Sequence, residues 1–285
     1  MSECRLCPRE CGVDRKEKTG ACGCGDEILL AKYMLHFGEE PCISGTKGSG
    51  AVFFSGCGLR CVFCQNYPIS RGMKGEIISR ERLSDILFEL RDMGAHNINL
   101  VTGTHYTDKI AEILAECKPS LGIPIVYNCS GYEKVGTLKM LEGLVDIYLP
   151  DLKYYSTEMS AKYSAAPDYF EKAFPALKEM LRQQPEAEFD GDIMTRGVIV
   201  RHLVLPKGYH DSIRLMDEIA ALPCRPLVSI MRQYTPCYDA VKYPEINRRL
   251  TTFEYDKVVN HCADIGLEGF TQERGCENLD MTPVF

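Results

Sequence analysis

From Ala51 onward the chain repeats one pattern, a short β-rich run followed by an amphipathic stretch. The runs that read as strands cover residues 51–55, 98–102, 123–128, 145–149, 197–205 and 227–233. Between them, helical periodicity covers 79–93, 107–117, 134–141, 169–183 and 212–221, and a last pair at 255–265 and 267–272 adds one helix and one strand. Ser79 ahead of Glu81 and Arg82 suits a capped start, and Gly94 stands where that helix should stop. Consecutive βα units imply a parallel sheet with right-handed crossovers. A full eight-unit barrel takes about 250 residues, so 285 residues are short for that plus the Cys-rich N-terminus. The expected fold is therefore a partial (β/α)6 barrel of the TIM type, at residues 51–285. Residues 1–50 form a Cys-rich metal-binding extension and lead-in. Residues 185–197 read as a surface loop before the fifth strand.

Composition narrows the function. A formal charge of -7 without a Lys/Arg block argues against a nucleic-acid surface. No run approaches the roughly 20 apolar residues of a membrane helix, and the polar N-terminus lacks a signal-peptide core. The expected location is the cytoplasm. The 15 cysteines are an odd number without an export signal, which suits metal ligation and buried thiols better than a disulfide framework.

Three cysteines carry the chemistry. Cys57, Cys61 and Cys64 lie in Ser-Gly-Cys-Gly-Leu-Arg-Cys-Val-Phe-Cys-Gln-Asn-Tyr, spaced C-x3-C-x2-C, directly after the first strand. Each iron of a 4Fe-4S cubane takes one external ligand, normally a thiolate. Three cysteines hold three irons and leave the fourth open. The loop falls at the C-terminal end of a strand, where barrels of this kind place their active sites.

This stretch resembles the cluster loop of the radical S-adenosylmethionine (SAM) superfamily. The resemblance implies that the amino and carboxylate groups of SAM chelate the open iron. One electron then cleaves the sulfonium to give a 5′-deoxyadenosyl radical. It also implies that Phe63, just before the third cysteine, packs near the adenine. After the second strand, Thr102-Gly-Thr-His-Tyr departs from the superfamily's Gly-Gly-Glu type of motif, because it has no acid. Hydroxyls of Thr102 and Thr104, or backbone carbonyls, would accept in its place. Asn128 and Ser130, at the end of the third strand, suit ribose hydroxyls or a carboxylate. Asp151 and Lys153 share one face at the end of the fourth, and together would grip a zwitterion. Arg201 and His202 interrupt the fifth strand, where a charge needs a partner. His202 is placed near the cofactor with Arg201 paired elsewhere, or the reverse. Gln233 ends the sixth strand as a substrate or adenine contact.

The N-terminus holds Cys4-x2-Cys7-x3-Cys11 and then Cys22-Gly-Cys24. Cys4, Cys7, Cys11 and Cys22 suffice for a tetrahedral four-thiolate site, with Cys24 an alternative fourth ligand. A short polar segment needs such a tie to stay folded. Zinc and a second Fe-S cluster both fit this spacing. With this module, Asn97-Ile-Asn-Leu-Val-Thr, Pro150-Asp-Leu-Lys-Tyr and Arg201-His-Leu-Val-Leu-Pro, the chain resembles pyruvate formate-lyase activating enzyme-like (PflX-type) proteins. Gly103 departs from that resemblance, standing where a proline is expected. The resemblance implies hydrogen-atom abstraction, with a glycine of a glycyl radical enzyme, another protein or peptide, or a small molecule as substrate. It implies an external reductant such as flavodoxin or ferredoxin. No catalytic side chain is singled out. An Fe-S electron carrier or metal-binding interaction module is the alternative reading.

Overall fold

A computed structural model describes residues 3–273, 275 and 283. Its sheet holds ten strands: β1 (Ile28–His36), β2 (Ser49–Phe54), β3 (Glu76–Ile78), β4 (Ile98–Val101), β5 (Ile125–Cys129), β6 (Ile147–Pro150), β7 (Glu188–Asp190), β8 (Ile193–Leu203), β9 (Leu227–Met231) and β10 (Gly269–Thr271). Around them lie α1 (Pro41–Ser44), α2 (Tyr67–Ser70), α3 (Arg80–Asp92), α4 (Thr107–Leu121), α5 (Val135–Leu138), α6 (Thr157–Ser164), α7 (Tyr169–Gln183), α8 (Tyr209–Ala220) and α9 (Thr252–Asp264). The six expected strands are β2, β4, β5, β6, β8 and β9, all parallel to one another, and β10 extends the parallel run. The sheet ends on β3 at one side and β10 at the other, so it curls without closing.

Three strands, the short helices α1 and α2, and α6 go beyond the sequence pattern. β1 is antiparallel to both β2 and β3, and Lys32 breaks its apolar run. β3 carries only three residues, none of them buried. Residues 185–197 are a hairpin rather than a loop, with β7 paired to the start of β8. All three β7 residues are exposed, so nothing in their composition marks a strand. In α6, Ser156 caps the N-terminus by accepting from Met159 N at 3.2 Å, but the helix has only eight residues.

Strand alternation sorts side chains onto two faces. Outward residues such as Val198, Val200, Tyr127 and Tyr148 pack with the helices in the main core. Inward residues Val126, Ile147, Leu149 and Ile199 pack on Cys42 and Ile43 of α1. Asn97, just before β4, donates to Ile43 O at 2.8 Å. α1 therefore plugs the end of the sheet where the strands begin, and the opposite end stays free for the cysteine loop. The N-terminal module lies over that rim: Thr137 donates to Leu6 O at 2.7 Å and Arg9 to Gly58 O at 2.7 Å.

Candidate active site

The cysteine loop leaves β2 through Ser55 and Gly56. Gly56 has φ 87°, and a Cβ there would stand 2.3 Å from Cys24 Sγ and 2.9 Å from Cys22 O. Only glycine takes that backbone at that approach without strain. Cys57 N donates to Cys22 O at 3.2 Å, and the Arg71 guanidinium donates to Cys57 O at 3.0 Å and also to Leu59 O. On the other side, Arg60 N and Val62 N donate to Ser164 O and Tyr163 O at the end of α6. The loop is thus held by the N-terminal module, α2 and α6 together.

All three thiols line one cavity of about 250 Å³. Ser164 Oγ donates to Cys61 Sγ at 3.0 Å, and Ser70 Oγ lies 3.3 Å from Cys64 Sγ. Burial, then the charges of Cys61 and Cys64, push the Cys57 thiol up to about 12. Burial and Cys61 raise Cys64 as well. Buried thiols sharing one cavity suit a cationic centre, which would take them as thiolates. Among the described residues no three His, Cys, Asp or Glu side chains are closed around a single metal position; the loop thiols share a cavity rather than forming a collapsed cluster.

In the N-terminal module a side chain on Gly20 would meet Cys11 Sγ at 3.2 Å and Cys22 Sγ at 3.5 Å. Cys4 is hydrogen-bonded to Cys11, and Cys7 feels the charges of Cys22 and Cys4. Cys24 donates to Ser55 O at 3.2 Å and also shares a side-chain hydrogen bond with Cys22. Cys4, Cys7, Cys11 and Cys22 neighbour one another in pairs without closing on one metal position, and Cys24 lies beside Cys22, so both candidates for the fourth ligand stand in this module.

Seven of the nine expected cofactor contacts line the cavity: Phe63, Thr102, Asn128, Ser130, Asp151, Lys153 and Gln233. Phe63 packs edge-on to Tyr234, with centroids 5.7 Å apart. Thr102 takes φ 61°, an uncommon conformation for a β-branched residue, and its N–H donates to Asn128 O at 2.8 Å. Beside it a Cβ on Gly103 would stand 2.6 Å from Ile110 Cδ1. Lys153 Nζ lies 2.5 Å from Asp151 Oδ2. Burial alone would lower the lysine, but Asp151 and the nearby thiols outweigh it and raise it.

Two expectations are corrected. Thr104 does not reach the cavity; its hydroxyl donates to Glu133 Oε1 at 2.6 Å beneath the β4–α4 turn. His202 faces the helices, with Nδ1 2.6 Å from Leu152 O and Nε2 2.8 Å from Ser212 Oγ. Neighbouring residues on a strand point to opposite faces. Arg201 therefore takes the inward position, and His202 is a satisfied interior histidine held down at about 4 by burial.

Sequence reasoning missed two residues that shape the site. Tyr169 of α7 sets its hydroxyl 2.7 Å from Ser130 O and 3.0 Å from Asp151 O, and accepts from Lys153 N at 3.0 Å. It ties together the ends of β5 and β6 that carry four of the lining residues. Its place as the first residue of α7, behind a Pro-Asp pair, gave no signal. Glu39, from the lead-in before α1, enters the inner face of the sheet. It accepts from Asn99 Nδ2 at 2.9 Å, Asn128 Nδ2 at 3.2 Å and Arg201 at 2.9 Å. The charge of Arg201 inside a β-branched strand was the one available hint of such a partner.

The sequence pattern that defines the Radical SAM superfamily matches residues 51–202, more than half of the chain and all of the cysteine loop. The chain belongs to the radical SAM superfamily. An uncharacterized protein of Methanocaldococcus jannaschii is 30% identical over 267 residues, covering 91% of this chain and 74% of that protein. Among solved structures, methylornithine synthase (PylB) superposes with a TM-score of 0.54 at 17% identity, covering 81% of this chain and 75% of that one. Streptococcus suis SuiB bound to its precursor peptide SuiA gives 0.54 at 12% identity, covering 77% and 47%. At these identities the likenesses establish the fold. Superfamily membership makes the chain an enzyme of radical chemistry that uses a 4Fe-4S cluster and SAM. Among the described residues no helix is long and apolar enough to cross a membrane.

Proposed function

We propose that this radical SAM enzyme abstracts a hydrogen atom from a protein or peptide, with a glycine Cα–H as the leading target. The cluster's ligands are Cys57, Cys61 and Cys64. The carrying observation is that these three thiols share one cavity with Asp151 and Lys153, at the strand ends of a sheet that does not close. Cys57, Cys61 and Cys64 would hold the cluster there, and the group would supply the one-electron reduction of the SAM sulfonium on which hydrogen abstraction depends.

The protein's own groups bind and orient. Lys153 offers an ammonium to a carboxylate and Asp151 a carboxylate to an ammonium, which together match the methionyl end of SAM. Asn128 and Ser130 stand where ribose hydroxyls can bond, and Phe63 with Tyr234 gives an apolar wall for the adenine. Ser164 and Ser70 lie against Cys61 and Cys64, and hydrogen bonds to cluster sulfurs tune the potential of such centres. The cofactor carries the difficult bond cleavage while the protein orients it and excludes water. Among the described residues the sheet does not close between β3 and β10, and an unclosed sheet can admit a protein loop, which favours a macromolecular substrate. An external one-electron donor such as flavodoxin or ferredoxin completes the reaction.

Cys4, Cys7, Cys11 and Cys22 are proposed to hold a second metal, zinc or an Fe-S cluster. Its support is the approach of Cys11 and Cys22 to Gly20, the hydrogen bond of Cys4 with Cys11 and the nearness of Cys7 to Cys22 and Cys4, in a polar segment. An electron carrier needs neither the Asp151/Lys153 pair nor a polar cavity. Anaerobic reconstitution with iron and sulfide, then incubation with SAM and dithionite, separates the two readings. The enzyme should form 5′-deoxyadenosine and methionine, whereas an electron carrier would be reduced and form none.

A further inference from the structure

Ser55 follows β2 and stands two residues before Cys57. It is buried, and all its polar atoms are engaged. Its N–H donates to Leu29 O at 2.9 Å and its hydroxyl to Lys74 O. Its carbonyl oxygen takes two donors, His105 Nε2 at 2.8 Å and Cys24 Sγ at 3.2 Å. One donor comes from the β4–α4 turn and the other from the N-terminal module. The turn, the module and the root of the cysteine loop therefore meet at this one oxygen.

A carbonyl only accepts, so the His105 proton sits on Nε2. Nδ1 is buried without a partner. Buried polar atoms are ordinarily paired, and an apolar ring would fill the same space without leaving a nitrogen bare. The polar contact that this ring makes is the one to Ser55 O. The module grips the backbone of the same residue. The Arg15 guanidinium donates to His105 O and, at 2.9 Å, to Gly25 O, and lies 5.2 Å over the Tyr106 ring. A Cβ on Gly56 would stand 3.3 Å from His105 Nε2, so the chain has no slack there. One residue on, Cys57 N donates to Cys22 O at 3.2 Å. A displacement of residues 22–25 is thus passed directly to Ser55, Gly56 and Cys57.

Arg15 and Cys24 lie outside the segment 51–202 that matches the superfamily pattern. Their half of the grip is not part of that shared pattern. We infer that His105 is a positioning residue that locks the root of the cluster loop to the N-terminal module through Ser55 O, so that filling the module's metal site changes the potential of the barrel cluster and its affinity for SAM. This rests on the function and the second metal proposed above, and it adds a coupling between the two sites. Such coupling of binding acts equally in both directions.

The test uses the full chain, reconstituted anaerobically, as parent, His105→Gln and His105→Phe, each with and without the paired change of Cys4 and Cys11 to Ala. Three quantities are read on each sample: metal content, the midpoint of the SAM-responsive electron paramagnetic resonance signal, and SAM affinity by calorimetry. Following the SAM-responsive signal keeps the barrel cluster distinct from any metal in the module. His105→Phe should keep its iron but change the ratio of reduced to oxidised cluster at a fixed potential about tenfold, or about 59 mV for one electron. It should also weaken SAM several-fold. His105→Gln, whose amide N–H can reach the same carbonyl, should stay near the parent. Removing the module's metal should displace the midpoint in the parent and in His105→Gln, and much less in His105→Phe. A parent-like His105→Phe, or a Gln variant as impaired as Phe, would overturn the inference. So would equal displacements in all three backgrounds, which would make the metal act independently of His105. If His105→Phe does not fold, a midpoint unmoved by loss of the module's metal in the parent overturns it on its own. A parent with no SAM-responsive signal would remove the functional reading and this inference with it. A parent with that signal and no coupling would remove this inference alone.

Discussion

Lys153→Ala and Asp151→Asn probe the placement of SAM. The two groups are 2.5 Å apart and part-buried, with side-chain exposures of 17% and 23%. At an effective dielectric of about 20, unit charges at that distance attract by about 6–7 kcal/mol before desolvation is counted. Desolvation offsets much of this, so the pair is a small net contributor to stability. Its value lies in being a neutral couple that a zwitterion can enter, each end replacing one partner for the other. A charge-assisted hydrogen bond contributes about 1.5–3 kcal/mol, and loss of one such contact weakens binding about 10-fold to 150-fold. Anaerobic calorimetry against SAM, with iron measured alongside, reads the result. Both variants should keep their iron and lose affinity by that order. If both bind SAM like the parent, the pair is a structural ion pair and SAM sits elsewhere in the cavity.

Two further outcomes follow from the same structure. Replacing Cys4 and Cys11 together by Ala should remove one metal site while the iron bound at Cys57, Cys61 and Cys64 remains, as judged by metal analysis; unchanged metal content would refute the four-thiolate assignment. His202 is held at about 4, below its ordinary 6.5. Between those values the unfolded chain binds more protons, so stability is full above about pH 6.5 and is lost as pH falls toward 4. The maximal loss is about 3 kcal/mol, and His202→Gln should show a flatter dependence of its urea midpoint across that window; parallel curves would contradict it.

The parallel core was legible because each inner strand is short, β-rich and followed by an amphipathic helix. β2, β4, β5, β6, β8 and β9 all fall where that alternation put them, within a few residues at their ends. The cysteine loop was legible because C-x3-C-x2-C at a strand end has few structural alternatives. What escaped was whatever depended on direction or on an edge. Arg201 and His202 are adjacent, and one register decides which faces the cavity; the apolar pattern of β8, buried on both faces, carries no mark of it. Thr104 sits three residues past its strand, where the backbone has already turned into the helix. β1, β3 and β7 are edge or hairpin strands, whose exposed residues need not alternate. Glu39 is invisible for a related reason, because an irregular segment with no periodicity carries it into the barrel.

The central claim is that three thiolates hold a cluster whose remaining iron is open to SAM. Electron paramagnetic resonance of the dithionite-reduced protein, with and without SAM, tests it most directly. The parent should show a reduced 4Fe-4S signal that changes on adding SAM. Cys57→Ala, Cys61→Ala and Cys64→Ala should each lose that SAM-responsive signal and all 5′-deoxyadenosine formation, while any metal held by Cys4, Cys7, Cys11 and Cys22 stays. A variant lacking one of the three cysteines that keeps a SAM-responsive signal would contradict the account.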